Sequence, residues 1–204
     1  MTTHADYEEI ISPNIYYDRS FEIEAAKIMP GEYYVTARDM MMVTVLGSCV
    51  AACIRDPVGG IGGMNHFMLP DDKREGGDLL SSSTRYGTYA MEKMINELLK
   101  MGAKRGNLEA KVFGGGKVLR GFTVGNVGER NAEFVLNYLH TENIAVVAQD
   151  MLDIYPRKVY FFPRTGKVLV KSLRNAHNDT IIEREQVYSS RLRVADVQGD
   201  VELF

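Results

Sequence analysis

Tryptophan is absent from the 204 residues, and there are only two cysteines and four histidines. Cys49 and Cys53 lie four positions apart in one β-prone run. Extended chain would separate them by roughly 13 Å, beyond disulfide reach. That excludes a secreted disulfide framework and makes reduced thiols in the cytoplasm the expectation. His4, His140 and His177 have no second ligand at metal-type spacing, so neither a metal nor a cofactor is expected. An excess of one charge is also missing. The formal net charge is −3, and no basic field recommends a nucleic acid or an anionic membrane as partner. No apolar run approaches the ~20 residues of a membrane-spanning helix, so no membrane insertion is expected. The start, Met-Thr-Thr-His-Ala-Asp, lacks the basic and apolar segments of a signal peptide. A phosphate loop is excluded too. Val118 follows Gly114-Gly115-Gly116-Lys117, and no glycine stands five before Gly116.

What is present suits one α+β domain, with 45% hydrophobic and 25% charged residues. Residues 1–20 read as an N-terminal extension that drapes on the domain or stays mobile, and 21–204 as a single domain. A short amphipathic run from Phe21 to Ile28 precedes the Pro30-Gly31 turn and β-prone Tyr33 to Thr36. Met40, Met41 and Met42 suit a gap-filling core. Asp71 to Ser83 is polar and Gly-rich, a solvated loop or a flap beside His66. A helix capped by Ser83 or Thr84 is expected to run to Met101, with Ala90, Met91, Met94, Ile95, Leu98 and Leu99 as its apolar stripe and Gly102 ending it. A second helix, capped by Asn131, buries Phe134, Val135, Tyr138 and Leu139. Strands are expected over Glu109–Phe113, Ile144–Ala148, Lys158–Phe162 and Lys167–Leu173. The tail from Asn175 to Asp196 shows little periodicity, and Val201 to Phe204 suits an edge strand. Many strands with two helices and no strict alternation argue for α+β rather than a doubly wound sheet.

The informative stretch is Val43 to Asp56, followed by Ile61 to Pro70. It reads as two apolar strands joined at Asp56-Pro57-Val58-Gly59-Gly60. A two-residue turn at Pro57-Val58 would set Cys49 directly opposite His66, close enough for proton transfer. A one-residue slip would put them on opposite faces. A cysteine in an apolar strand is ordinarily a small hydrophobe. Here Gly47-Ser48 frees the backbone to turn, exposing the sulfur and aiming its N–H at an oxyanion. Cys53 has no such preface and reads as packing.

Leu46-Gly47-Ser48-Cys49-Val50-Ala51-Ala52-Cys53 and Gly63-Met64-Asn65-His66-Phe67-Met68-Leu69-Pro70 resemble the signature of the chemoreceptor glutamine deamidases, the CheD family. The resemblance extends to Pro30-Gly31-Glu32-Tyr33-Tyr34-Val35, to Leu108 through Gly116, to Gly128-Glu129-Arg130-Asn131 and to Gly199 through Phe204. It implies a sandwich of mixed β-sheets with helices on the outer faces, similar to toxin-type cysteine deamidases. It implies hydrolytic deamidation of glutamines on methyl-accepting chemotaxis receptors through a Cys49–His66 thioester mechanism, with a CheC-type phosphatase as competing partner. The family's third residue, a threonine that orients the imidazole, falls on Thr44. Thr44 stands five residues before Cys49 and faces away from it unless Gly47-Ser48 breaks the strand. The family's Phe-Gly-Gly block suggests that the glycines at 114–116 let backbone approach the active site. Asp150 to Arg157 departs from the family, which commonly carries Gly-Gly after the aspartate. Two rival readings are a non-catalytic module that docks a phosphatase or receptor, and a redox sensor using Cys49 and Cys53.

Overall fold

The run Met41-Met42-Val43-Thr44-Val45-Leu46 is β-branched and apolar on both faces, and it becomes a strand at the middle of a sheet. In the computed structural model, which describes residues 14–70, 82–118, 127–174 and 179–194, two mixed five-stranded sheets face each other. The first has the order β1 (Asn14–Asp18), β2 (Ile23–Lys27), β4 (Met41–Leu46), β9 (Arg157–Phe162), β10 (Lys167–Ser172). The second has the order β3 (Tyr33–Thr36), β6 (Ile61–Asn65), β5 (Val50–Asp56), β7 (Glu109–Gly114), β8 (Ala145–Met151). The pairs β2–β4 and β7–β8 are parallel and the other neighbours antiparallel. Met42, Leu46, Val159 and Phe161 of the first sheet interlock with Ala51, Cys53, Met64 and Phe113 of the second. All three consecutive methionines are buried.

Helices α1 (Ser82–Lys100) and α2 (Val127–Thr141) cover the outer face of the second sheet. The stripe of α1 is buried at Met91, Met94, Ile95 and Leu98, each contributing about 1.5–3 kcal/mol. The outer face of the first sheet instead carries an aromatic patch, where Phe21 packs on Tyr160 and Phe162. Helices therefore cover one outer face among the described residues, not both.

Several expectations are corrected. Asn14–Asp18, read as part of the extension, is the edge strand β1. Helix α1 begins at Ser82, so Ser83 and Thr84 lie in its first turn. Asn131 does not cap α2 but sits five residues into it, fully buried. The tail judged aperiodic holds a 16-residue helix, α3 (Asp179–Val194). Of the loop or flap expected over Asp71 to Ser83, residues 71–81 lie outside the described residues and Ser82 and Ser83 belong to α1; the closing 201–204 strand also lies outside them.

The hairpin register also differs. Asp56 faces Ile61, so the turn has four residues, 57–60. Buried Asp56 enforces this: Oδ1 accepts from the N–H groups of Val58 and Gly59, and Oδ2 from that of Lys104. These N–H donors, Lys104 foremost, hold its carboxyl below the usual range. The register slips by two, an even number, so Cys49 and His66 keep a common face but meet diagonally.

Candidate active site

The chain leaves the first sheet at Leu46 and enters the second at Val50, and the three residues between form the site's floor. Even-numbered Met42, Thr44 and Leu46 point between the sheets before the crossing; odd-numbered Cys49, Ala51 and Cys53 do so after it. The break at Gly47-Ser48 thus resolves the odd spacing of Thr44 and Cys49. Thr44 reaches across from the other sheet.

His66 follows β6 and is pinned at both backbone ends. Its N–H donates to Glu32 O (2.9 Å), and its carbonyl accepts from Gly31 N–H (2.7 Å). The Thr44 hydroxyl donates to Ile28 O at 2.8 Å, so its lone pair is left to accept Nδ1–H of His66, also at 2.8 Å. This network places the ring proton on Nδ1 and leaves a bare lone pair on Nε2. Among the described residues, Nε2 is a buried side-chain polar atom with no hydrogen-bond partner. A buried unsatisfied acceptor is costly, and at a site it marks a group waiting for a proton.

Cys49 lies beside it. Its Sγ, a ring nitrogen of His66 and a carboxylate oxygen of Glu185 fall within 4.8 Å of one another. Sequence reasoning expected an exposed sulfur; Cys49 is 0% exposed and His66 2%. The cover is α3, whose Glu185 turns inward. Glu185 Oε1 accepts from the N–H groups of Gly47 (2.8 Å) and Cys49 (3.2 Å). Its Oε2 accepts from Ser48 N–H (2.8 Å) and Ser48 Oγ (2.6 Å). Three backbone donors and one hydroxyl converge on one anion. The cluster's donor set superficially suits a cation, but both carboxylate oxygens already face positive dipole ends. The arrangement is an anion hole.

The hole is built by its neighbours. Asn131 Nδ2 donates to Ser48 O (2.9 Å), and because a peptide's C=O and N–H point oppositely, this aims the Cys49 N–H inward. Its Oδ1 accepts Leu69 N–H, tying the loop to the segment after His66. Gly116 N–H holds Gly47 O, and Gly115 N–H holds Cys49 O, both at 2.8 Å. The glycines at 114–116 thus brace the 47–49 loop, the close backbone approach that the family resemblance implies. Gly47 leaves the hole open, since a Cβ there would stand 2.8 Å from Glu185 Oε2. Buried Arg157 clamps the end of β8, donating to Asp150 Oδ1 and to the carbonyls of Asp150 and Leu152. Leu152 and Asp153, within the stretch where the sequence departs from the family pattern, adopt left-handed φ values of 67° and 75°.

Two clefts meet at His66. One of about 400 Å³ is lined by Ile28, Thr44, Ile181 and Arg184. The other, of about 170 Å³, is lined by Gly31, Phe67, Tyr86 and Tyr89. Burial pushes the Cys49 thiol well up, and the adjacent Glu185 carboxylate adds to this. Burial drives His66 down from 6.5 to about 4. With α3 seated, thiol and imidazole are both neutral. Cys53 is also buried and its thiol pushed up by burial, which suits packing rather than redox exchange.

The family model described as "CheD chemotactic sensory transduction" matches residues 68–172. A "Probable chemoreceptor glutamine deamidase CheD" from Thiobacillus denitrificans is 66% identical over 197 residues, 97% of this chain and 98% of its own. The protein of the same description from Janthinobacterium sp. (strain Marseille) is 64% identical over 97% of each chain. That from Methylobacillus flagellatus is 63% identical, over 97% of this chain and 98% of its own. The chain belongs to the CheD family. The family match begins two residues after His66, and the full-length relatives span the 47–49 loop as well. Among solved structures, a hypothetical protein of Bacillus licheniformis aligns at a TM-score of 0.36 and 11% identity over 60% of this chain and 49% of its own. Within this CheD chain, Cys49, His66 and Thr44 meet, while Asn131 and Glu185 are participants that sequence reasoning missed. No helix among the described residues is long and apolar enough to cross a membrane.

Two outcomes follow from the imidazole's setting. Thr44→Val keeps the shape but frees the ring to take the other tautomer. Turnover should fall about 100-fold, less than the ~10⁴ seen when a charged orienting carboxylate is lost. Thr44→Ser should keep most of it, with steady-state kinetics as the readout. The folded imidazole titrates near 4 and the unfolded one near 6.5, so the unfolded chain binds the extra proton between those values. His66 therefore makes stability fall as pH drops from about 6.5 to about 4, by up to about 3 kcal/mol. Urea unfolding across that window should show this slope in wild type and not in His66→Gln.

Proposed function

We propose that this chain hydrolyses glutamine side chains on the cytoplasmic helices of methyl-accepting chemotaxis receptors, releasing ammonia and leaving glutamate. The observation that carries this reading is the bare Nε2 of His66 beside Cys49 at the mouth of a three-N–H anion hole. Full-length relatives described as probable chemoreceptor glutamine deamidases support the substrate class.

In the mechanism, Nε2 takes the thiol proton and Cys49 Sγ attacks the carboxamide carbon. The N–H groups of Gly47, Ser48 and Cys49 hold the oxyanion, each such donor contributing about 2.7–4 kcal/mol. His66, oriented by Thr44, protonates departing ammonia, then draws a proton from water as it attacks the thioester carbon. Acyl-enzyme collapse restores the thiol. Two facing mixed sheets support grouping this chain with the toxin-type cysteine deamidases that the family resemblance implies. A CheC-type phosphatase, the partner that resemblance also implies, would compete for the same groove.

Receptor peptides incubated with wild type should gain the mass of an amide-to-acid conversion at particular glutamines, and Cys49→Ala should abolish the gain. Equal conversion by both proteins would leave a non-catalytic docking module as the reading.

A further inference from the structure

Helix α3 lays one face on the site, and that face holds a single acid within an apolar stripe. Ile181 lines the cleft with Thr44 and His66. Tyr188 packs on the inter-sheet core and shares a hydrogen bond with the Tyr86 hydroxyl, and Leu192 joins the same core. The Tyr188 ring also rests on Gly31, where a Cβ would meet it at 3.1 Å. Between them, fully covered, the Glu185 carboxylate fills the anion hole beside Cys49 and His66. A glutamine awaiting hydrolysis must set its carbonyl oxygen on those same N–H groups, and the glutamate it becomes is a carboxylate at that spot.

Resting on the deamidase reading above, we propose that α3 is the chain's own occupant of the substrate groove, with Glu185 standing where the product carboxylate would lie. The substrate displaces it as a helix with glutamine at the position of Glu185 and apolar residues four before, three after and seven after. This accounts for a nucleophile with no exposure. It also accounts for a carboxylate held where it disfavours the thiolate. Substrate entry removes both obstacles at once, since a neutral carboxamide replaces the anion. The helix thus makes the site selective: an intruder must match three apolar contacts before its glutamine reaches the hole.

The full-length Glu185→Gln variant tests this directly, because it delivers a substrate to its own nucleophile. Cys49 sulfur would add to the carboxamide carbon introduced at position 185, and the C–N bond would break as His66 protonates the leaving ammonia. Water would then cleave the thioester, so the amide plus water yields acid plus ammonia. Intact-mass and peptide mapping should show the new side chain of Glu185→Gln converting to glutamate, and remaining an amide when Cys49→Ala is added. In parallel, Glu185→Ala and Tyr188→Ala should each raise kcat/KM on receptor peptides about tenfold or more, as expected when an occupant that leaves the site open only about 1–10% of the time is removed. Tyr188→Ala loosens the helix without touching the hole.

An amide at position 185 that stays unconverted while the same variant deamidates receptor peptides overturns the proposal and leaves the deamidase reading intact. Loss of turnover in Glu185→Ala, with Tyr188→Ala unchanged, makes Glu185 a working catalytic carboxylate instead and equally overturns it. Conversion at position 185 with no receptor peptide modified by any variant upholds the groove occupant and removes the receptor as substrate. Conversion of neither removes both.

Discussion

Cys49→Ala and His66→Gln are each expected to lower receptor-peptide deamidation by at least about 10⁴-fold, and the double variant by no more than either alone. The reason is mechanical. Without the sulfur, the imidazole has no proton to receive. Without Nε2, a thiol pushed well up by burial stays protonated, and nothing protonates the ammonia. Groups that act as one unit fail as one unit. Cys53 supplies the control from the same strand: it is buried against Met64 and Lys111 in the ladder, on the same inter-sheet face. Cys53→Ala should cost roughly 1–2 kcal/mol in unfolding, as a small cavity does, and leave turnover within about threefold. Single-turnover assays with mass detection, paired with denaturant melts, read both quantities. A Cys53→Ala variant as inactive as Cys49→Ala would break the assignment.

Gly114→Ala is the second large effect. Gly114 has φ of 107°, and a Cβ there would stand 2.2 Å from Cys49 O and 3.1 Å from Val50 Cα. Backbone cannot swing aside as a side chain can. Strain of about 1–3 kcal/mol combines with overpacking of about 1–3 kcal/mol. The expected loss is about 3 kcal/mol or more, a fall in Tm of roughly 6–12 °C for a chain of this length. The displaced atom belongs to Cys49, the proposed nucleophile, so the surviving folded fraction should also lose kcat. Gly106→Ala, with nothing within 4 Å and no left-handed φ, should leave Tm and kcat nearly unchanged.

How legible the site was depends on the range over which each signal acts. Cys49 and His66 flank two strands joined by one short turn, and local alternation placed them on a common face. The offset by two was hidden because it depends on Asp56 accepting from Lys104, 48 residues on. Thr44 was legible only as a resemblance, because its position depends on a crossing between sheets that periodicity does not encode. The glycines at 114–116 were legible as close-approach residues only through the family's Phe-Gly-Gly block, because the partners they brace, Gly47 and Cys49, lie more than 60 residues earlier. Asn131 was misread as a cap because its polar side chain points to two loops far away in sequence. Helix α3 was missed for a related reason. Its inward face runs Ile181, Glu185, Tyr188 and Leu192, a helical stripe interrupted by a carboxylate. An acid among apolar positions ordinarily counts against a buried face, and only the four donors from residues 47–49 make it acceptable there.

The crossing from Leu46 to Val50 has one more consequence. Thr44 rides on one layer of the sandwich while His66 directly follows a strand of the other, so the proposed catalytic alignment measures how firmly the two layers are pressed together. A slip of about an ångström between them breaks the 2.8 Å link that fixes the ring, yet leaves every ladder within each layer whole. In mild denaturant, deamidation should therefore vanish ahead of the β-sheet circular dichroism signal.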